Sequence, residues 1–272
     1  MLLKNKKCPN CESYYDPTLK ECPICHKDNE LYANRGLRDS IMFYHPAAQI
    51  GLFLAGFSFV GMLVSEFISA LFVYGLADKT LKNALVLLFT YLLMFAALLT
   101  ICFTSRERIF IKKFKRPADY TLGLAYAGAI FGVNLLIGMI TSIFYKDTNT
   151  NQAAAESLIN NYPIIAGFVI CLIGPICEEL TYRVGLYSFL RRINKVLAFV
   201  VTVIIFTLIH FDFTAENMIG ELWALPSYIA CGAILTMAYD HRGPACSIIA
   251  HMAYNTTAFI AVIMGNIYGQ CT

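Results

Sequence analysis

Six polar side chains lie in apolar parts of the sequence between residues 178 and 255, and their types could perform acid–base chemistry. A charged side chain near the middle of a bilayer costs roughly 2.5–3.5 kcal/mol on insertion scales, so such groups usually serve a function. The set contains two adjacent carboxylates, one arginine, two histidines and one asparagine: Glu178, Glu179, Arg183, His210, His251 and Asn255. We interpret this cluster as a candidate catalytic site.

The first motif is EELTYR at residues 178–183. On a helix, Glu179 and Arg183 are four residues apart and in the favourable order for an ion pair. Glu178 points about 100° away from Glu179. We therefore expect Arg183 to neutralise Glu179, while Glu178 faces a water-containing cavity. A partly desolvated carboxylate in that position suits a general base.

The second motif pairs Phe206 with His210 in the next apolar segment. The basic turn at residues 191–195 is centred near Asn194, which is sixteen residues from both Glu178 and His210. An antiparallel hairpin about this turn brings Glu178 and His210 to the same depth. The spacing therefore predicts that these two side chains share a water molecule.

The third motif is HMAYN at residues 251–255, which places His251 and Asn255 on one helical face. Two hydrogen-bond donors aligned in this way could hold a developing oxyanion. His251 lies only about nine residues beyond the turn at 240–243, which would make it shallower than Glu178. The helix must tilt, or its predicted boundary must move by a turn, for the two to meet.

The composition identifies the elements that position these residues. Hydrophobic residues make up 58% of the chain and charged residues 14%, which indicates a polytopic membrane protein. Apolar runs of about twenty residues, enough to cross a bilayer, recur along the chain. The sequence predicts an all-α transmembrane bundle of about seven spans, although a split at Pro175 would change that number. The spans are Pro46–Leu76, Leu81–Phe103, Tyr120–Tyr145, Tyr162–Leu190, Val196–Phe211, Leu222–Tyr239 and Cys246–Tyr268.

The distribution of basic residues predicts the orientation, because short cytoplasmic loops carry the excess of lysine and arginine. Basic residues concentrate before the first span and after the second, fourth and sixth spans, whereas the alternate loops are acidic or poor in basic residues. We therefore expect a multi-pass protein of the cell membrane with its N-terminus in the cytosol and lipid as its surroundings. The net charge of +3 follows from this asymmetry and does not indicate nucleic acid as a partner.

The N-terminal residues 1–30 form a different kind of unit. CPNC at 8–11 and CPIC at 22–25 are two pairs of cysteines, each able to direct two thiolates at one tetrahedral zinc ion. The pattern predicts a structural zinc ribbon with Cys8, Cys11, Cys22 and Cys25 as ligands. Two disulfides are disfavoured in a cytosolic segment. The predicted organisation is a zinc ribbon at 1–30, a linker at 31–45 and a transmembrane domain at 46–272, with a core at about 118–268.

At the three polar motifs the chain resembles the type II CAAX prenyl proteases, also called the CPBP or Abi family of intramembrane proteases. The family pattern is EExxxR, then FxxxH, then HxxxN, and all three occur here in order. The resemblance implies that Glu178 and His210 activate the hydrolytic water, that His251 and Asn255 form an oxyanion hole, and that Glu179 and Arg183 support the site. The zinc ribbon is not part of that pattern.

The expected function is therefore an intramembrane endopeptidase that cuts protein or peptide substrates near the membrane. A glutamate with two histidines could also bind zinc, but the HExxH helix of soluble zinc proteases is missing, which favours a metal-free mechanism. Two further alternatives are a non-catalytic immunity or scaffold protein and a proton-coupled transporter. Taken singly, an intramembrane ion pair or histidine is more often structural, so the hypothesis depends on the three motifs together.

Overall fold

The computed structural model describes residues 6–15, 19, 21–27, 45–57, 63–64, 67–69, 71–104 and 117–269. Two short strands pair antiparallel near the N-terminus, and most of the remaining described chain is helical. Apart from residue 45, the predicted linker at 31–45 lies outside the described residues. The elements are β1 (Lys6–Lys7), β2 (Tyr14–Tyr15), α1 (Pro46–Gly56), α2 (Lys79–Thr104), α3 (Pro117–Phe144), α4 (Thr150–Asn161), α5 (Pro163–Arg191), α6 (Lys195–Leu208), α7 (Met218–Arg242) and α8 (Pro244–Gly269).

The predicted all-α membrane bundle is confirmed. Helices α2, α3, α5, α7 and α8 are long and apolar enough to cross a membrane. The two other predicted spans correspond to shorter apolar helices, α1 with 11 residues and α6 with 14. Part of the first predicted span, which continues to Leu76, lies outside the described residues. At 1.5 Å per residue α6 is about 21 Å long, so it ends inside a hydrocarbon layer of about 30 Å.

Helix α5 runs without a break through Pro175, where the sequence left open a split. Two of its segments, Gly167–Ile173 and Glu179–Tyr187, have the wider π-helical turn. In the first segment, the Gly174 N–H bonds to the Val169 carbonyl five residues earlier. Proline has no N–H to donate, and a wider turn before it removes the clash that a proline otherwise causes.

Helix α5 is the centre of the bundle. It contacts α1, α2, α6, α7 and α8, and α3 packs on the outer side of α7 and α8. Leu52 of α1 and Leu98 of α2 meet Leu180 and Val184 of α5 in one buried cluster. A second buried cluster joins Phe206 to α7 and α8. The polar residues of α5 are therefore enclosed by apolar packing on most sides.

Helix α4 was not predicted, because its composition is polar and shows no apolar stripe. The Asn149 side chain caps its first turn by accepting from the Gln152 N–H at 3.1 Å. Glu156 accepts from the Gln152 amide one turn on, at 2.8 Å. The helix ends before Pro163, which cannot continue the hydrogen-bond ladder of a preceding helix. This polar helix lies between the third and fourth predicted spans, beside the polar cluster.

Replacing Gly185 by alanine tests a close contact between α1 and α5. An added Cβ would lie 2.8 Å from the Phe53 nitrogen and 3.0 Å from the Gln49 carbonyl oxygen, so α1 would be pushed away from α5. We expect Gly185→Ala to lose about 1–3 kcal/mol, as in other overpacked cores. Thermal unfolding in detergent measures the change.

The matched control is Gly128→Ala in α3, where an added Cβ meets nothing within 4 Å. Alanine has the higher helix propensity, so this variant should melt at the wild-type temperature or slightly above it. Equal melting temperatures for the two variants would contradict the close approach of α1 to α5.

Candidate active site and metal cluster

Glu179 and Arg183 form an ion pair that is completely buried. An Arg183 guanidinium N–H donates to Glu179 Oε1 at 2.9 Å, and another donates to the Gly232 carbonyl of α7 at 3.2 Å. The guanidinium also lies over the Phe206 ring, 4.3 Å from its centroid. The spacing-based expectation of this pair is met in the structure, and Phe206 of the second motif covers it.

His251 lies between the two glutamates. Its Nδ1 is 3.0 Å from Glu179 Oε1, and its Nε2 is 3.9 Å from Glu178 Oε2. A carboxylate only accepts hydrogen bonds, so Nδ1 carries the proton in this contact. Nε2 is then an acceptor in the neutral ring and a donor only in the imidazolium ion. The role of His251 therefore depends on its protonation state.

His210 follows the end of α6 and is held from three sides. Its Nδ1 donates to the Phe206 carbonyl at 2.8 Å, which fixes the tautomer and leaves Nε2 as an acceptor. The ring stacks on Tyr228 with centroids 4.7 Å apart and planes 22° apart. Phe206 contacts the ring as well, with centroids 4.8 Å apart. The imidazole thus has one fixed orientation.

Glu178 is the carboxylate of the pair that remains available. Its side chain is 17% exposed, against none for Glu179. Its Oε2 has no hydrogen-bond partner among the described residues. The Tyr91 hydroxyl of α2 lies close to the same carboxylate, a neighbour that the sequence did not indicate. The structure therefore separates the two glutamates as the helical spacing predicts.

Asn255 is oriented by a carbonyl group that helix α5 leaves free. Its side-chain amide donates to the Ile170 carbonyl at 2.9 Å. In a regular helix the Gly174 N–H would take that carbonyl, but here it bonds to Val169, and Pro175 has no N–H. The irregular turn before Pro175 thus positions Asn255. The second N–H of the Asn255 amide is left to donate to another group.

Two cavities meet at these side chains. One has a volume of about 600 Å³ and is bounded by α3, α4, α7 and α8, while the other, of about 650 Å³, lies between α2, α4 and α5. Glu178, His210 and Asn255 line both cavities, and His251 lines the first. Volumes in this range are typical of ligand sites. The arrangement brings the four predicted catalytic residues to one place.

The depth problem posed by His251 has a simple solution. The Tyr187 hydroxyl bonds to Asp240 at 2.9 Å, and Ser188 bonds to Tyr239 at 2.6 Å. The end of α7 therefore lies level with these residues of α5, about one turn inward of Arg191. Helix α8 starts correspondingly deeper, which brings His251 to the depth of Glu178. The predicted spans ended at Tyr239 and resumed at Cys246, whereas α7 ends at Arg242 and α8 starts at Pro244.

The sequence did not indicate two further residues near the site, Glu221 and Tyr228. Glu221 accepts from the Thr150 N–H at 2.7 Å and from the Asp212 N–H at 3.1 Å, so it fastens α4 to the segment after His210. The Tyr228 hydroxyl accepts from the amides of Asn149 and Asn151. In the sequence Glu221 looks like one more acidic residue of an outer loop. Tyr228 is an aromatic residue at an ordinary helical position, and no sequence pattern marks it as part of a site.

The four N-terminal cysteines form the second functional cluster. Their sulfur atoms all lie within 4.8 Å of one another, and the pairs Cys8–Cys25 and Cys11–Cys22 are each 3.6 Å apart. A tetrahedral zinc–thiolate site with bonds of about 2.3 Å requires sulfur–sulfur distances near 3.8 Å. Disulfide bonds are excluded for these pairs, because they would require about 2.0 Å. The cluster that the sequence predicted is therefore present.

The two cysteine knuckles have the same backbone geometry. The Glu12 N–H bonds to the Cys8 carbonyl and the His26 N–H to the Cys22 carbonyl, each at 2.9 Å. Glu12 and His26 both have positive φ, at 58° and 54°. Hydrogen bonding by Ser13 lowers the pKa of the Cys11 thiol to about 6, which favours the thiolate form that binds metal. The hairpin of β1 and β2 encloses the first knuckle.

Glu178, His210 and His251 supply ligand types that zinc accepts, since both histidines have an unprotonated Nε2 when neutral. Within the part of the chain that the structure describes, however, only the cysteine cluster brings its ligand atoms within 4.8 Å of one another. A metal at the glutamate site would require the side chains to move closer. The side-chain types at this site are ones that zinc accepts, but their ligand atoms are too far apart in this structure to bind one ion.

Comparisons with known proteins cover the segment of the chain that carries this site. A family model, Type II CAAX prenyl endopeptidase Rce1-like, matches residues 160–257. The UPF0177 protein YbdI of Lactococcus lactis subsp. lactis (strain IL1403) is 28% identical over 145 residues, which cover 52% of this chain and 74% of that protein. The UPF0177 protein YvdC of the same strain is 23% identical over 154 residues, covering 56% of this chain and 55% of that protein.

No solved structure matches the chain. The family match, in contrast, spans the segment that carries all three polar motifs. The resemblance drawn from those motifs is thereby confirmed, and residues 160–257 of this chain are similar to the Rce1-like type II CAAX prenyl endopeptidases.

Proposed function

We propose that the protein is an intramembrane endopeptidase that hydrolyses peptide bonds of protein or peptide substrates near the membrane. The family match over residues 160–257 supports protease activity in general. The observation that carries the proposal is the part-exposed Glu178 carboxylate, which lines both cavities beside a buried glutamate that Arg183 already neutralises.

Glu178 and His210 activate the hydrolytic water in this proposal. The carboxylate takes a proton from water as the oxygen attacks the substrate carbonyl carbon, and the same proton later goes to the leaving amine. The Nε2 of His210 is a second acceptor, because the Phe206 carbonyl holds the proton on Nδ1. Stacking on Tyr228 fixes the orientation of the His210 ring and therefore the direction in which Nε2 points.

His251 and Asn255 stabilise the oxyanion that forms during attack. Asn255 contributes the amide N–H that the Ile170 carbonyl does not use. His251 donates from Nε2 only as an imidazolium ion, because the neutral ring carries its one proton on Nδ1, toward Glu179. The two glutamates, Arg183 and an imidazolium together carry no net charge, which suits a site of low dielectric constant.

A zinc-dependent form of the same protease is the second candidate. The unprotonated Nε2 atoms of both histidines and the free Glu178 oxygen favour it, because these are zinc-binding atoms. In each histidine Nδ1 donates to a protein oxygen, as metal-binding histidines usually do. Zinc would polarise the substrate carbonyl and lower the pKa of a bound water. Counting metal ions separates the two candidates.

Replacing Glu178 by glutamine tests the general base. The amide keeps the shape but cannot accept the proton, so we expect kcat/KM to fall by about 10²–10⁴. Purified protein in detergent is incubated with a peptide library, and the products are identified by mass spectrometry. The control is Glu156→Gln on α4, an acid that bonds to Gln152 and lines neither cavity.

The control variant should cleave as the wild type does. Unchanged biological activity of the Glu178→Gln variant would contradict a catalytic role and favour the immunity or scaffold function. Cleavage by Glu178→Gln at the wild-type rate would remove Glu178 from the mechanism.

Replacing Asn255 by alanine tests the oxyanion hole. Because the interaction strengthens in the transition state, we expect kcat to fall about 10²–10³-fold with little change in KM. Thr257→Ala is the control, since its exposed hydroxyl bonds to its own helix at the Ala253 carbonyl. A rise in KM with unchanged kcat would show instead that Asn255 binds the ground state.

Metal counting tests both clusters. We expect about one zinc per chain, lost in Cys22→Ser and retained in both Cys171→Ser and His210→Ala. Cys171 is a single cysteine of α5 with no metal-binding neighbour among the described residues, so it controls for loss of a thiol. Elemental analysis of the purified proteins gives the stoichiometry. A second zinc that disappears in His210→Ala would establish the zinc-dependent mechanism.

A further inference from the structure

The two ends of the helix bundle differ in charge. One end carries Arg191, Arg192, Lys195 and Arg242, close together where α5 meets α6 and α7 meets α8. Arg192 also bonds to Gln49 at 2.8 Å, so the start of α1 lies at this end. In the sequence, six further basic residues lie between the last residue of α2 and the first residue of α3. This basic end is the cytosolic one by the positive-inside rule.

The opposite end has more acidic than basic residues. Among the described residues its acids are Asp78, Asp147, Glu156, Asp212, Glu216 and Glu221, and its bases are Lys79, Lys82 and Lys146. It contains α4, the segment 209–217 after α6, and the starts of α2 and α7. Tyr162 bonds to Asp78 at this end, which aligns the start of α5 with that of α2.

Both cavities draw their outer lining from the less basic end. The first is lined by Tyr145, Asp147, Asn149 and the start of α7 at Trp223. The second is lined by Thr80 and Asn83 of the first turns of α2 and by residues of α4. None of the four arginines and lysines of the basic end lines either cavity. The route from Glu178 to water therefore leads away from the basic end.

The short helix α6 makes this opening possible. It starts at the basic end at Lys195 and stops at Leu208, inside the layer that a full span would cross. The segment 209–217 fills part of the remaining depth without regular helix. Irregular backbone at membrane depth is tolerated only where it is buried in protein or lines a water-filled cavity. Its Asp212 N–H is satisfied by Glu221.

We propose that the site opens on the face of the membrane opposite to the cytosol and takes polypeptide segments that lie on that side. The substrate part rests on the proposed protease function, whereas the orientation stands on charge and cavity lining alone. A peptide presented from the cytosol would meet the basic end, where neither cavity opens.

The lining indicates the chemistry of that substrate segment. Amide groups of Asn134, Asn151 and Gln152 and the rings of Trp223 and Tyr228 face the first cavity. Amides pair with peptide N–H and C=O groups, and aromatic rings contact apolar side chains. The structure therefore assigns an extended, largely uncharged polypeptide stretch as the substrate class.

Cysteine labelling on intact cells tests the orientation without any need for activity. Thr148→Cys places a reporter in the exposed segment before α4, and Ile193→Cys places one in the exposed turn at the basic end. A membrane-impermeant maleimide–polyethylene glycol adds mass to each accessible cysteine, and wild type gives the background of native cysteines. We expect Thr148→Cys to gain a band shift in intact cells and Ile193→Cys to gain one only after permeabilisation.

Any other labelling pattern overturns the inference. The same cells then receive an uncharged peptide that wild type cleaves in detergent, supplied from outside, with Glu178→Gln as the inactive control. Cleavage by intact wild-type cells alone supports the substrate side. Correct labelling with no cleavage by intact wild-type cells refutes the substrate side. Correct labelling with no Glu178-dependent cleavage of any library peptide in detergent refutes the protease function and leaves the orientation intact. Reversed labelling with Glu178-dependent cleavage in detergent refutes only the orientation.

Discussion

A guanidinium in the middle of a membrane bundle requires a countercharge and hydrogen-bond acceptors, and Arg183 contacts three groups there, although its Nε has no acceptor among the described residues. It pairs with Glu179 on its own helix, donates to the Gly232 carbonyl of α7 and lies over Phe206 of α6. Glu179 in turn holds His251 of α8. This one buried charge pair therefore ties α5 to three neighbouring helices. Removing a single partner of such a pair costs about 3–5 kcal/mol, because an uncompensated charge remains buried.

The same pair distinguishes the two glutamates. Glu179 is fully buried and bonds through Oε1 to Arg183 and His251, whereas the Glu178 side chain is 17% exposed and lines both cavities. The irregular course of α5 adds the second half of the site. Pro175 and the wide turn before it leave the Ile170 carbonyl to Asn255. Departures from regular helix thus do the positioning here, as π-helical turns often do at functional sites.

The spans and the ion pair could be predicted because they follow from local rules. Apolar length sets the spans, and a four-residue spacing sets the contact of Glu179 with Arg183. The depth of His251 could not be predicted, because it depends on where Tyr187 and Asp240 meet between two helices. Helix α4 was missed because its stability comes from a cap and from contacts with Glu221, which leave no apolar period in the sequence.

The protonation of the histidines is also beyond sequence reasoning. It depends on the Phe206 carbonyl for His210 and on the Glu179 carboxylate for His251, both of which are set by three-dimensional packing. The motif spacing identified side chains that lie together in the structure, but it assigned His251 a donor role that Nε2 can perform only in the charged form of the ring. Chemistry at such a site follows from the partner of each ring nitrogen, which a linear pattern does not encode.

The two cavities on either side of the Glu178 carboxylate have a consequence for the kind of chain that fits. A pocket with one entrance admits the terminus of a polypeptide, since the chain must stop at its floor. Here the carboxylate borders both cavities, with α4 between them. A chain can enter by one cavity and continue into the other, so no free end is needed and the middle of a long polypeptide can be held at the reactive group.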